Sequence, residues 1–575
     1  MARLYRRSAN VVTAATALLL FASVSRAQPL EDRVDPAKIF RPMNHFIVNE
    51  ERANFELTES PQPFLDWGLI NAGFVEYVGK DTKQIVPVGD PHPYKNMDDI
   101  EAVQFGGATG MRLRVEKPTI VGNFDDVIGK THPWEQGELE VVTLIYDEEE
   151  QLYRVWYKAG MRMAYAESKD FKTWNKPLRD LTPVGDSKET NLIGVTNVEQ
   201  LLKGKMQLAD EIRPGASGAF FIDPTAPKSE RFKTTFLAHT KTPHYEDNGG
   251  KSLVGRPVSA MTGPGSTVIW GAVSADGMAW KVLPEPVCYH DADTQTVTKY
   301  DTQIKKYVVY TRLYELGRRT IARLETDNFR RWPLPVNIMT PGPTEPPSLD
   351  YYANAFSFYP GQPDIRLIFC LDYDRARDIA DIRLATSRDG RVFHFSPGEP
   401  IVTPAKVEQV GHGMVSPKPG LVRLPDGSMF MVYGAWRVPH KFPRANTGGI
   451  ENRYADLCAQ WPADRIVALE AEEFGEFASV PFTLRGNSIE LNMLSDRTGG
   501  VKVEARDEKY EVIPGHSFAD ADVLYGDHAA VPVTWNGKSD LGAYRDKTIY
   551  LTFRLKSAKL YSIKAGSQSP IASSR

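Results

Sequence analysis

The chain has 575 residues, too many for one hydrophobic core, so two or more domains are expected. Its hydrophobic content of 42% and charged content of 25% are those of an ordinary globular protein. The formal net charge of -4 leaves no basic surface in excess, which argues against a nucleic-acid partner.

The N-terminus has the pattern of a cleaved secretory signal. Three arginines within the first seven residues precede an apolar run over 11–22, and Ser25-Arg26-Ala27 matches a small-x-small cleavage site. We therefore predict a signal peptide over residues 1–27 and a secreted or periplasmic protein. The apolar run is too short to span a bilayer and no later stretch is long enough, so no membrane span is expected.

The three cysteines, Cys288, Cys370 and Cys458, are far apart in the sequence. Their spacing fits neither a disulfide scaffold nor a metal site, and buried free thiols are the preferred interpretation. No metal ligand set is predicted from the sequence.

Residues 28–130 carry weak helical and weak alternating patterns. We predict that this N-terminal segment wraps the next domain and helps to close it.

One unit then recurs five times: a strand, a turn rich in Asp, Pro or Gly, and a second strand rich in aromatic residues. In the third copy, the stretch from Tyr289 to Asp301 opens with His290, Asp291 and Asp293 and continues into the β-branched run Thr296-Val297-Thr298. The five copies cover residues 141–157, 218–233, 289–312, 355–369 and 420–433.

A second hairpin follows most copies, with the pattern Ser-x-Asp and an aromatic residue about four positions later. Three copies carry it as Ser168/Asp170/Trp174, Ser274/Asp276/Trp280 and Ser387/Asp389/Phe393. Two hairpins make a four-stranded blade, so residues 131–465 are predicted to form a five-bladed β-propeller. The insertion 241–265 is predicted to be a surface loop near the channel mouth.

After about residue 465, short alternating strands recur with Gly, Asn and Asp turns between them. This pattern predicts a β-sandwich over 466–565 and a disordered tail over 566–575. The predicted fold class is therefore all-β, with a five-bladed β-propeller followed by a C-terminal β-sandwich.

The inner strands of a propeller begin at its channel, so residues at their N-terminal ends are the candidates for chemistry. Carboxylates precede three of the five hairpins, and glycoside hydrolysis needs two acids. The candidate catalytic residues are Glu135, Glu138, Asp293 and Asp350. The alternative for each acid is a structural role, capping a turn or pairing with an arginine.

A second group of residues near the same ends could bind substrate. Aromatic rings could stack on sugar faces, and Arg312 could bind an anionic sugar or pair with a blade carboxylate. His412 could line the channel, ligate an ion or be structural. The candidate binding residues are Trp134, His290, Asp291, Arg312, Tyr351, Tyr352, His412 and Trp436.

The repeat and the order of modules over residues 130–565 resemble the five-bladed propeller glycosidases with a trailing β-sandwich, the invertase/levanase and arabinanase/β-xylosidase groups. They are also similar to uncharacterised secreted bacterial propeller hydrolases. The resemblance implies one catalytic acid on each of three inner strands. By position, Glu138 or Glu135 is then the nucleophile or base, Asp293 the stabiliser and Asp350 the general acid.

This chain also departs from those groups. It has no Trp-x-Asn-Asp-Pro-Asn-Gly, Arg-Asp-Pro or Glu-Cys-Pro motif. Glu replaces Asp on the first blade and Asp replaces Glu on the fourth. Substrate specificity therefore does not carry over.

The sequence thus predicts a secreted glycoside hydrolase acting on a plant or algal poly- or oligosaccharide, with its active site at the channel mouth. No organic cofactor is expected, although a structural cation in the channel is possible. The alternatives are a non-catalytic glycan-binding propeller, and a lyase or phosphorylase on the same scaffold.

Overall fold

The structure is a computed structural model that describes residues 55–82, 86, 94–105, 107–241, 267–290, 292, 294–406, 409–442 and 454–566. The predicted signal peptide, nearly all of the 241–265 insertion and the tail after residue 566 lie outside these ranges. Within them, no helix is long and apolar enough to cross a membrane.

The N-terminal segment supplies seven short strands and one helix before the first blade. The strands are β1 (Phe55–Leu57), β2 (Gln62–Pro63), β3 (Phe74–Gly79), β4 (Ile100–Phe105), β5 (Ala108–Thr109), β6 (Arg112–Val115) and β7 (Thr119–Asn123). The helix α1 (Phe124–Ile128) follows directly and buries Phe124 and Ile128. Strands β3 and β4 pair only with each other in the described chain.

Five sheets follow, one for each predicted repeat, and their strands pair antiparallel except for the short β11 of blade 2, which pairs parallel with β15. Blade 1 contains β8 (Leu139–Asp147), β9 (Leu152–Ala159) and β10 (Arg162–Ser168). Blade 2 contains β11 (Gly194–Val195), which precedes helix α2 (Val198–Lys203), and β12 (Phe220–Ile222), β13 (Phe232–His239), β14 (Thr267–Ser274) and β15 (Ala279–Val282). Blade 3 contains β16 (Val297–Asp301), β17 (Lys306–Glu315), β18 (Arg318–Thr326) and β19 (Val336–Met339).

The last two blades are built in the same way. Blade 4 contains β20 (Leu349–Tyr359), β21 (Gln362–Asp374), β22 (Ile379–Ser387) and β23 (His394–Phe395). Blade 5 contains β24 (Met414–Pro417), β25 (Val422–Arg423), β26 (Met429–Trp436) and β27 (Tyr454–Trp461), and β7 from the N-terminal segment pairs antiparallel with β27.

The inner strands form a closed ring. Strand β8 contacts β12, β12 contacts β16, β16 contacts β20, β20 contacts β24, and β25 returns to β8. Gly420 allows this last junction to close, because a Cβ at this position, where φ is +134°, would lie 2.1 Å from the carbonyl oxygen of Leu144. The predicted all-β five-bladed propeller is confirmed.

Aspartates in the first-hairpin turns tie blade 1 to blade 2 and blade 3 to blade 4. Asp147 of blade 1 accepts hydrogen bonds from Arg231 at the edge of blade 2, and Asp301 of blade 3 accepts them from Arg366 of blade 4. These carboxylates are buried and their partners carry the opposite charge. The turn aspartates therefore hold the ring together at the end remote from the channel mouth.

The predicted Ser-x-Asp turns are present in blades 1, 2 and 4. In each, the serine Oγ contacts the aspartate Oδ1 at 3.0–3.1 Å, and that oxygen also accepts backbone N–H bonds two and three residues later. The three cysteines are free and buried, as predicted.

The C-terminal unit is one nine-stranded sheet that also takes strands from the N-terminal segment. Its own strands are β28 (Val467–Ala478), β29 (Phe482–Leu484), β30 (Ser488–Arg506), β31 (Asp527–Pro532) and β32 (Thr548–Gly566), joined by β1, β2, β5 and β6. Strands β30 and β32 change register at two irregularities along their pairing. The predicted sandwich arrangement of this unit stays a prediction.

One hydrophobic core joins the C-terminal unit to blades 4 and 5. It includes Leu367 and Phe369 of β21, Trp461 of β27, and Phe477 and Phe553 of the C-terminal sheet, all nearly inaccessible. The propeller is therefore anchored on the side of blades 4 and 5.

Candidate functional site

A pocket of about 210 Å³ lies where the inner strands of all five blades begin. Its polar and charged lining comes from Glu140, Lys158, Ser217, Thr294, Gln295, Ser416 and Lys418, and its rings from Tyr352, Tyr373, Trp436 and His440. Side chains that are far apart in the sequence therefore converge at the channel mouth.

Two β-bulges lie at this mouth. The pairing of β8 with β9 shifts between Val141 and Thr143, and the pairing of β20 with β21 shifts between Tyr351 and Ala353. A bulge adds one unpaired residue and redirects the side chains around it. The extra residues are Val142 and Tyr352, and both line the pocket.

Glu140 lies between two lysines. Its Oε1 accepts from Lys418 Nζ and its Oε2 from Lys158 Nζ, each at 2.9 Å, and the side chain is 33% exposed. Burial opposes ionisation of this carboxyl, but the charges of Lys418 and Lys158 outweigh it and lower the pKa of Glu140 to about 2. Glu140 is therefore ionised at any ordinary pH.

Asp456 of β27 lies behind Lys418 and is only 2% exposed. Its carboxylate accepts hydrogen bonds from the Val141 backbone N–H and from the Tyr454 hydroxyl. Burial raises the pKa of Asp456 to about 6, against the opposing charge of Lys418. Burial alone would lower the pKa of Lys418, but Asp456 and Glu140 together raise it.

Tyr352 forms the wall on the side of blades 3 and 4. The guanidinium of Arg312 lies 4.2 Å from the centre of its ring and that of Arg319 4.7 Å. Its hydroxyl lies 3.1 Å from His440 Nε2. Trp436 packs on Tyr454 at 4.7 Å between ring centres, so it continues the cluster around Lys418.

Among the predicted substrate-binding residues, Tyr352 and Trp436 line the pocket. The other described ones do not. Arg312 is buried and donates to the Tyr352 carbonyl, and this contact positions the Tyr352 ring.

The remaining predicted binding residues contact other parts of the protein. His290 Nε2 lies 2.7 Å from the Arg312 carbonyl oxygen, and Tyr351 donates to Glu345 at 2.7 Å. Trp134 donates to Asn191, and His412 Nδ1 lies 3.2 Å from the Ala405 carbonyl oxygen.

Glu135 does not reach the pocket. It is wholly buried and accepts hydrogen bonds from Tyr157, from Lys176 and from the backbone N–H groups of Thr131 and His132. Burial would raise its pKa, but the Tyr157 and Lys176 contacts more than offset this and lower it. Its position is that of a structural carboxylate, and the predicted catalytic role is not supported.

Asp350 is likewise buried and paired with arginines. Its Oδ2 accepts from Arg319 Nη1 at 2.7 Å and lies 3.4 Å from Arg375 Nε, and its Oδ1 accepts from the Arg319 backbone N–H at 3.1 Å. The carboxylate is 0% exposed and does not line the pocket. The arginine-paired alternative describes this residue better than the general acid does.

The remaining predicted acids are placed as follows. Glu138 does not line the pocket, and its Oε2 accepts from the Tyr454 backbone N–H at 3.2 Å. Asp291 and Asp293 fall outside the described residues, and Asp293 directly precedes Thr294 of the pocket lining. No group of three or more His, Cys, Asp or Glu able to hold a metal occurs in the described part of the chain.

Sequence reasoning missed Glu140, Lys158, Lys418 and Asp456. Glu140 carries a usable signal, because it is a second carboxylate, two positions after Glu138, at the start of the same inner strand. Lys418 and Asp456 come from blade 5, roughly three hundred residues further along the chain than Glu140. Only the closure of the ring brings them to Glu140.

Comparisons with known proteins find solved structures of similar fold but no match by sequence. No protein-family model and no curated protein matches the sequence. Among solved structures, a protein described as a glycoside hydrolase is 13% identical, with a TM-score of 0.37, over 61% of this chain and 94% of its own.

Two further structures have similar values. The endo-arabinase from Bacteroides thetaiotaomicron is 11% identical with a TM-score of 0.34, over 57% of this chain and 96% of its own. The exo-inulinase from Aspergillus awamori is 12% identical with a TM-score of 0.32, over 79% of this chain and 99% of its own. At these identities and TM-scores the similarity assigns neither a family nor a substrate to this chain.

Proposed function

We propose that the protein is a secreted glycoside hydrolase that cleaves a plant or algal poly- or oligosaccharide in the pocket at the channel mouth. The observation that carries the proposal is Glu140, an ionised carboxylate held by Lys158 and Lys418 in a pocket that also presents Tyr352 and Trp436. A concave pocket that combines rings with a few oriented polar groups is the usual form of a small-ligand site.

Hydrolysis needs a negative group near the anomeric carbon and a second group that protonates the leaving oxygen. Glu140 suits the first role, as nucleophile or as stabiliser of the positive charge, because its lowered pKa keeps it ionised. We assign the second carboxylate to Asp293, which adjoins the pocket residue Thr294 in the sequence. Tyr352 and Trp436 offer ring faces against which a sugar can pack.

The test is to incubate the protein with a panel of xylan, laminarin, polygalacturonate and agarose. Hydrolysis is measured by the release of reducing ends. On any substrate that is cleaved, Glu140→Gln is expected to lower kcat/KM by about a thousandfold or more. Glu399→Gln is the matched control, because Glu399 also pairs with a lysine, Lys117, at 2.8 Å but on the open surface. Wild-type kcat/KM in Glu140→Gln would remove Glu140 from the mechanism.

One observation favours a lyase as the second candidate. Elimination from a uronic acid needs cations to offset the sugar carboxylate and a base such as tyrosine or histidine, and the pocket holds Lys158, Lys418 and the Tyr352–His440 pair. Cleavage of polygalacturonate with an unsaturated product that absorbs in the ultraviolet would select this candidate. Binding without any turnover would instead indicate a glycan-binding propeller.

A further inference from the structure

A second cavity, of about 600 Å³, lies between the N-terminal segment and blade 4. It is lined by residues 65–68, Leu113, residues 386–389, Val392 and residues 394–397, and is called the Trp67 groove here. The groove residue Ser387 of β22 lies opposite Arg366 of β21 in the sheet of blade 4, and Arg366 lies opposite Phe358 of β20. Because Phe358 lies six residues beyond Tyr352 on that strand, the groove is about 20 Å from the channel pocket.

Trp67 is presented on the groove wall. It opens a 3-10 turn, Trp67–Leu69, in which Asp66 caps the N-terminus by accepting from the Gly68 N–H at 2.8 Å. Leu69 on the same turn is wholly buried in the core that joins the two domains. Trp67 itself is 45% exposed and lines the groove, while the turn that carries it is held in place by Leu69. A face of its indole ring therefore remains open to the groove.

A planar ion pair lies next to this ring. Arg388 donates through Nε and Nη2 to the two carboxylate oxygens of Asp66, both at 3.0 Å. The two side chains of the ion pair pack closely against Gly68. A Cβ at this position would lie 2.8 Å from Asp66 Oδ1 and 3.2 Å from Arg388 Nε. Arg388 takes the variable place of the Ser-x-Asp turn in blade 4, which is Lys169 in blade 1 and Ala275 in blade 2.

The opposite wall carries polar groups with capacity for a ligand. The Ser396 Oγ is enclosed and has no hydrogen-bond partner among the described residues. His394 of the short strand β23 is exposed along the same wall, and it pairs with Thr386 of β22. An enclosed hydroxyl without a hydrogen-bond partner is destabilising, and a bound ligand hydroxyl would supply that partner.

We propose that the Trp67 groove is a carbohydrate-binding site, separate from the channel pocket, that holds a stretch of polysaccharide. A pyranose ring presents an apolar C–H face, which suits the Trp67 indole, and hydroxyls at its edge, which suit the Arg388–Asp66 pair, Ser396 and His394. The volume lies within the range of ligand sites. Nucleic acid fits less well, since Asp66 neutralises the arginine that faces the groove.

The choice of polymer rests on the proposed function, while the groove itself does not. The experiment is affinity electrophoresis of the full chain in gels that contain xylan, laminarin, polygalacturonate or agarose. At least one polymer is expected to retard the wild-type chain. Trp67→Ala is expected to weaken that retardation about tenfold, and Trp67→Phe, which keeps a ring, to restore most of it.

Tyr525→Ala serves as the control, because Tyr525 is an exposed ring of the C-terminal unit outside the groove, and it should migrate as the wild type does. The inference is overturned if no polymer retards the wild-type chain, if Trp67→Ala is retarded equally, or if Trp436→Ala in the pocket abolishes retardation and Trp67→Ala does not. Retardation that depends on Trp67 in a chain that cleaves none of the polymers would uphold the groove and refute the proposed hydrolase.

Discussion

The carboxylate of Asp456 accepts a hydrogen bond from the backbone N–H of Val141, so blade 5 holds the first strand of blade 1 directly beside Glu140. The contact lies at the β-bulge that brings this strand to the pocket. Asp456 therefore satisfies a backbone donor that lies away from bulk water, and it also neutralises part of the charge of Lys418. Asp456 thus acts both in the fold and in the electrostatics of the pocket. A change of pH alters the charge of its carboxylate and so separates the second function from the first.

Asp456→Asn is expected to remove a pH dependence of stability. The pKa of Asp456 is about 6 in the folded protein against 3.8 for a free aspartate, so the folded state binds more protons than the unfolded state between these values. Stability then falls as pH rises from about 4 to 6, by about 3 kcal/mol for this one group. Urea unfolding of both proteins at pH 4 and pH 7 measures it.

Glu140 is common to both proteins in this comparison, so its own contribution, which is lost as pH falls below about 4.5, cancels in the difference. The difference in unfolding free energy between wild type and variant should shrink as the pH is raised. A difference that stays constant over this range would show that Asp456 is ionised throughout.

Lys158→Met is expected to lower the activity at acidic pH, so that the acid limb of the pH–activity profile moves to higher pH. Lys158 is one of the two charges that lower the pKa of Glu140, so without it the pKa of Glu140 moves back toward the ordinary value of 4.5. If the whole shift were lost, the ionised fraction at pH 4 would fall about fourfold, and kcat/KM with it. The measurement is kcat/KM from pH 3 to pH 8 on whichever polymer is cleaved.

Lys117→Met is the control for this variant, since Lys117 pairs with Glu399 on the open surface. Its profile should coincide with that of the wild type. Parallel profiles for Lys158→Met and wild type would mean that Glu140 does not act in the ionised form.

The propeller could be predicted from the sequence because its signals are local. Each Ser-x-Asp turn closes within a few residues, as in Ser274 and Asp276, whose side chains lie 3.1 Å apart. Aromatic residues of the second strand of each repeat pack between neighbouring blades, as Trp156 of blade 1 does on Phe220 of blade 2. A pattern that repeats five times can be recognised in the sequence even when each copy is weak.

The pocket was harder to predict because its charges are set by distant neighbours. Glu135 and Glu140 both precede or open the first inner strand, yet Glu135 is buried against Lys176 while Glu140 reaches the pocket between Lys158 and Lys418. Nothing in the local sequence separates the two. Burial and partners are tertiary properties, and Lys418 reaches Glu140 only because blade 5 closes onto blade 1.

Arg366→Met is expected to destabilise the junction between blades 3 and 4. Arg366 donates to Asp301 through Nε at 3.0 Å and Nη2 at 2.5 Å, and both side chains are buried. Removing the arginine leaves a buried carboxylate without its counter-charge, which costs about 3–5 kcal/mol. The double variant Asp301→Asn with Arg366→Met should regain part of that loss, because no buried charge remains, and urea unfolding of the wild type and the two variants tests this.

Asp350→Asn is expected to act on stability rather than on chemistry. The carboxylate is buried and satisfied by Arg319, with Arg375 close by, so the loss of its charge should cost about 2–4 kcal/mol of unfolding free energy. Arg319 also stacks on Tyr352, so a small effect on KM is expected through that ring. Measured well below the unfolding temperature, kcat should stay within about tenfold of the wild-type value, whereas Asp293→Asn should lower kcat by about a thousandfold with little change in stability. A stable Asp350→Asn protein without activity would instead restore Asp350 as the general acid.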